Sequence, residues 1–129
     1  MDWDSFLSDA KYIRAKEGDL FEKATDDYLR ALKVEQAKQD MKWDIEEVLG
    51  VSITDPFAQD FLQSNADYLR EMLALRQLYW YFLERTNGEG SLTQIKADVY
   101  KKLYNERRSR LGSLIVYKRP NVDTLQVTR

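Results

Sequence analysis

The sequence predicts an all-α protein: a small antiparallel bundle of three to five helices over residues 1–112, with an extended C-terminal tail over residues 113–129. Three observations carry this. Apolar residues recur at three- and four-residue spacing along most of the chain, which is helical periodicity. Capping residues and glycines stand where those periodic runs begin and end. Only past Gly112 does the pattern turn to β-branched and aromatic residues without helical spacing.

The organising element is Asn65–Thr86, the most apolar run in a polar chain. Leu69, Met72, Leu73, Leu75, Leu78, Tyr79, Phe82 and Leu83 form its stripe, and Trp80 and Tyr81 widen that stripe almost all the way round. A helix apolar on most sides needs covering on most sides, so this run reads as the central post of the bundle.

The other elements follow in order. Trp3, Phe6, Leu7, Ala10 and Ile13 are spaced for one face of a short helix capped by Asp2 or Asp4. Gly18 breaks it, and Asp19 offers a cap for a long periodic segment ending at Leu49. Its stripe is Phe21, Ala24, Tyr28, Leu32, Ala37, Met41, Ile45, Val48 and Leu49. Thr25-Asp26-Asp27 leaves open a division into two helices. Gly50 stands where a left-handed C-terminal cap is expected. Asp55-Pro56 reads as a cap with proline in the first turn, leading into a short helix through Phe57, Phe61 and Leu62. Asn87-Gly88-Glu89-Gly90 reads as a turn, and a phosphate cradle there lacks the preceding strand such a motif needs. Ser91 caps the last long helix, antiparallel to the post, with Leu92, Ile95, Val99 and Leu103, and Leu111 as a further candidate, on its buried side. Tyr100 and Tyr104 flank that stripe. Gly112 ends the helix, and Leu114–Tyr117 has strand tendency.

Composition narrows the chemistry. The chain has no cysteine and no histidine, which removes thiolate chemistry and the commonest general base and metal ligand. The acidic N-terminus does not read as a secretory signal, and no window is apolar for the roughly eighteen residues a membrane span needs. The expectation is a soluble protein made inside the cell, with no membrane contact. Asp26-Asp27 and Glu46-Glu47 are adjacent on helices and do not converge on one point. Ser91, Ser109 and Ser113 have no histidine base. No catalytic, cofactor or metal residue is therefore assigned, and the chain does not read as an enzyme.

Charge is distributed unevenly. Residues 1–100 hold 12 Lys/Arg against 20 Asp/Glu, net −8, while residues 101–129 hold 8 against 2, net +6. An acidic body with a basic end suits head-to-tail pairing of copies or docking on an acidic partner; an arginine-rich solvated helix face is the plainer alternative. The constellation is Arg107, Arg108 and Arg110, extended by Lys101, Lys102, Lys118 and Arg119, with the apolar run Leu114, Ile115, Val116 and Tyr117 beside it. These are the candidate partner-binding residues. Non-specific phosphate contact is open to them, but no groove-reading motif accompanies them.

Three stretches together resemble the head–tail connector (adaptor, or head-completion) proteins of tailed bacteriophages. They are ALKVEQAKQDMKWDIEEVLG, YLREMLALRQLYWYFLERTNGEG and KADVYKKLYNERRSRL with its trailing tail, within roughly residues 25–115. The resemblance implies a structural virion protein at the head–tail interface, made in the host cytoplasm and acting without cofactor. It implies a homo-oligomeric ring, a dodecamer if it follows the family, between the portal and a tail or stopper protein. The C-terminal arm would dock on the portal, and DNA would leave through the ring. The alternative from another class is a small regulatory protein that binds nucleic acid through its basic C-terminal helix.

Overall fold

A computed structural model describes residues 2–86 and 90–117, with side chains described as far as residue 115. Over these residues the chain is all-helical. The seven helices are α1 (Ala10–Glu17), α2 (Asp26–Ala31), α3 (Val34–Leu49), α4 (Pro56–Ser64), α5 (Ala66–Glu84), α6 (Leu92–Ser109) and α7 (Leu111–Tyr117). That is more than the three to five expected, because the N-terminal half is divided more finely and a helix follows Gly112.

The central post is α5, which touches α1, α3, α4 and α6. Leu69, Met72, Leu73, Ala74, Leu75, Gln77, Leu78 and Phe82 are buried along it. α6 returns antiparallel: Tyr68 and Glu71 near the start of α5 meet Arg107 near the end of α6, and Phe82 stacks on Tyr100. α1 and α3 also run antiparallel to α5, since Ser8 meets Gln77 while Lys16 meets Glu71, and Lys33 meets Glu84 while Asp40 meets Arg76.

Most boundaries have local causes. Thr25, Asp55 and Ser91 each accept a backbone N–H in the first turn, at α2, α4 and α6. Gly50 closes α3 at φ 72°, a left-handed turn that glycine adopts without Cβ strain. The first helix starts later than expected: Asp9, not Asp2 or Asp4, caps α1. Asp2 instead accepts from Ser5 N–H in a turn, and Trp3 and Phe6 bury themselves from this non-helical leader. Asp19 caps nothing; residues 18–23 form turns, and Thr25 begins α2. The restart left open at Thr25 is therefore real, and a second break at Leu32-Lys33 separates α2 from α3.

Two expectations are corrected. On α6 the buried face is Ala97, Tyr100 and Tyr104, followed by Leu111 at the start of α7; Leu92, Ile95 and Val99 point outward. The tyrosines turn inward onto the part-buried carboxylates of Glu17 and Asp44, and Ala97 on the same face is fully buried. The second correction concerns the tail. Leu111–Tyr117 is a helix rather than a strand-prone arm, it touches α3, and Leu114 and Ile115 pack partly buried against the core. The body thus extends past residue 112, because Leu111, Leu114 and Ile115 share a helical face that the bundle can cover. Asn87–Glu89, with the imagined phosphate cradle, and Lys118 onward lie outside the described residues.

Candidate functional site

Polar groups inside the bundle form a set of bridges around α5. Four part-buried carboxylates each hold two side chains of other helices. Asp40 of α3 accepts from Arg76 Nε at 2.7 Å and Trp80 Nε1 at 2.9 Å, both on α5. Asp44 of α3 accepts from the Tyr104 hydroxyl and from Arg108 Nε at 2.9 Å, both on α6. Glu71 of α5 pairs with Arg107 of α6 at 2.7 Å and Lys16 of α1 at 3.6 Å. Glu17 of α1 takes Lys96 and the Tyr100 hydroxyl, both on α6. Arg76 also lies over the rings of Tyr79 and Tyr104, 4.4 and 4.8 Å from their centroids.

A fifth bridge is Gln77, fully buried on α5. The two hydrogens of its amide nitrogen are shared among the carbonyls of Leu29, Arg30 and Leu32 at 3.2, 3.2 and 2.8 Å, and its oxygen accepts from Ser8 Oγ at 2.6 Å. It thereby satisfies the loose end of α2 and holds the turn where Lys33 adopts φ 51°. Among the described residues no buried side-chain nitrogen or oxygen lacks a partner.

Burial pushes the hydroxyls of Tyr100 and Tyr104 well above the usual tyrosine range, and the carboxylates they face, Glu17 and Asp44, add to the shift. Above about pH 10 an unfolded tyrosine loses its proton while these two keep theirs, so the stability they lend is present below that pH and lost as pH rises further. Unfolding midpoints measured across alkaline pH should fall above that point. Tyr104→Phe should flatten the fall while costing about 1 kcal/mol at neutral pH, the value of one hydroxyl bond.

The sequence-predicted residues divide among these roles. Arg107 and Arg108 are committed inside the chain: Arg107 to Glu71 and the Tyr68 ring, Arg108 to Asp44 and to Glu47 at 3.0 Å. Arg110, one turn further, is exposed with no ion pair among the described residues, as are Lys101 and Lys102. At 100° per residue these three point in different directions, so no single basic face forms. Leu114 and Ile115 belong to the core margin; the side chains of Val116 and Tyr117, and Lys118 and Arg119 entirely, lie outside the described residues.

α6 also presents an apolar stripe outward. Leu92, Ile95 and Val99 are 68, 52 and 48% exposed and sit at i, i+3 and i+7, a single stripe. Lys96 beside them is held by Glu17, and Asp98 is bonded to the Gln94 amide. Their helical spacing was legible; their outward direction was not, because it depends on which stripe the interior carboxylates claim. Among the described residues no cluster of carboxylates is arranged to hold a metal ion, and no helix is long and apolar enough to cross a membrane. Comparison with known proteins gives no significant match to any family, curated protein or solved structure.

Proposed function

We propose that this chain is a structural assembly protein, a subunit of the head–tail connector type that closes into a ring between the portal and the tail of a virion. The observation that carries the reading is the uncovered stripe of Leu92, Ile95 and Val99 on a bundle whose buried side-chain polar groups, among the described residues, all have partners. Each such side chain gains about 1.5–3 kcal/mol when fully buried, so a partner surface is the natural cover. The three stretches that resemble connector proteins give the assembly its identity: a homo-oligomeric ring with portal on one side and a tail or stopper protein on the other. The contact arm narrows to residues 118–129, because residues 111–115 are part of the body. Arg110, Lys101 and Lys102 remain available for non-specific contact with DNA in the channel.

Electron microscopy of the purified protein, alone and with a portal ring, tests this. Annular particles are expected, either free or templated on the portal. A protein monomeric under both conditions that binds duplex DNA tightly, with steep loss as salt rises, would favour the nucleic-acid-binding alternative. Removal of residues 118–129 should abolish assembly. A cut at residue 113 should also destabilise the bundle, since it strips Leu114 and Ile115 from the core.

A further inference from the structure

We propose that the α6 stripe is the seat for the C-terminal segment of a second copy of this chain, with Val122, Leu125 and Val127 of one subunit covering Leu92, Ile95 and Val99 of the next. The inference rests on the ring-assembly reading and specifies its contact.

Three observations favour this occupant. The first is placement. On α6, Tyr104 and Arg108 face α3 through Asp44, and α7 also lies against α3. At 100° per residue the Leu92–Ile95–Val99 stripe is nearly half a turn away from that side. α7 therefore ends on one flank of α6, and the stripe faces the other. Copies set side by side bring one subunit's segment to its neighbour's stripe, a heterologous contact that repeats and can close into a ring.

The second is size. Three aliphatic side chains are too few for a symmetric dimer, whose stable interfaces bury about 800 Å² per partner. They suit a short segment, and 118–129 offers three apolar side chains of its own, Val122, Leu125 and Val127. Twelve residues reach at most about 40 Å, ample against the roughly 10 Å of helix between Leu92 and Val99. The third is charge. The segment carries Lys118, Arg119 and Arg129 against Asp123, and it meets a body whose first hundred residues are net −8. On α6 itself Glu106 is exposed in line with the stripe, and Lys102 is exposed beside it, seven residues from Ile95, so the charge match comes from the acidic body as a whole.

The absence of cysteine from the chain makes engineered disulfides unambiguous. An Ile95→Cys chain is mixed with a Leu125→Cys chain under mild oxidation, beside a control in which Gln63→Cys, exposed on α4, replaces the stripe position. Docking predicts inter-chain disulfide formation roughly tenfold above the control, through raised local thiol concentration. It further predicts that the double variant Ile95→Cys/Leu125→Cys yields a ladder of linked oligomers. Two results overturn it: closure of the double variant into an internally linked monomer, which places the segment on its own α6, or cross-linking at the control rate. Rings seen by microscopy with control-rate cross-linking would keep the connector reading and remove this contact. Cross-linking between chains without rings would do the reverse.

Discussion

Replacing Gln77 with leucine is expected to cost about 2–4 kcal/mol, because a buried carbonyl and a buried hydroxyl left without partners lose about 1–3 kcal/mol each. The side chains are close in size, so the effect is not one of volume. The wild-type amide reaches three carbonyls at the end of α2 and accepts from Ser8. Leucine leaves the Leu32 carbonyl and the Ser8 hydroxyl without their partner, while the Leu29 carbonyl keeps the Leu32 N–H and the Arg30 carbonyl lies at a part-exposed margin. The turn at Leu32-Lys33 should then loosen, with α2 and the leader carrying Trp3 and Phe6 following it. Urea unfolding should show a large drop in midpoint. Hydrogen exchange should localise the loss, with the amides of α2 exchanging far faster while α5 and α6 keep most of their protection. A variant within about 1 kcal/mol of wild type would mean that water or a shifted backbone replaces the amide, and that this glutamine is not what divides α2 from α3.

The second large effect is expected at Asp44. Asp44→Ala removes the acceptor shared by the Tyr104 hydroxyl and Arg108, leaving a buried hydroxyl unpaired and Arg108 with Glu47 alone. The expected loss is about 2–4 kcal/mol, the range for a buried group deprived of a charged partner. Tyr104→Phe should rescue part of it, since the phenylalanine ring keeps the packing and brings no orphaned hydroxyl. In a double-mutant cycle the two substitutions should be strongly non-additive, with a coupling of about 1–2 kcal/mol. Additive losses would show that Tyr104 and Asp44 act independently and that α3 is held to α6 by packing alone.

Much of this architecture was legible in the sequence because its causes are local. The apolar run from Leu69 to Phe82 must be covered on several sides, and it is. Gly50, Asp55-Pro56 and Ser91 mark helix ends by their own chemistry, and each does so here. What was not legible has causes distant in sequence. The break at Leu32-Lys33 is stabilised by Gln77, 45 residues downstream of Leu32. The rotation of α6 follows from Glu17 and Asp44 drawing Tyr100 and Tyr104 inward, against an aliphatic stripe whose periodicity is equally helical. Periodicity ranks residues by face but cannot choose between two faces when aromatic side chains carry hydroxyls that find buried acceptors. The arginine run was similarly ambiguous. A guanidinium reads as available until a carboxylate on another helix is seen to hold it, and Glu71, Asp44 and Glu47 hold two of the three.

These corrections move the proposed interaction surface. Weight shifts from Arg107 and Arg108, which brace the bundle, to the outer stripe of α6 and to the segment beyond α7. A single substitution addresses the stripe. Ile95→Glu places a charge where wild type has a half-exposed aliphatic chain, so the monomer should lose no more than about 0.5 kcal/mol. The direct measurement is the mass distribution of wild type and Ile95→Glu at rising protein concentration, alone and on a portal ring. Multi-subunit assembly by the wild type and a folded, monomeric, portal-blind Ile95→Glu is the predicted result. Equal assembly by both proteins, or a wild type that stays single under every condition, would contradict it.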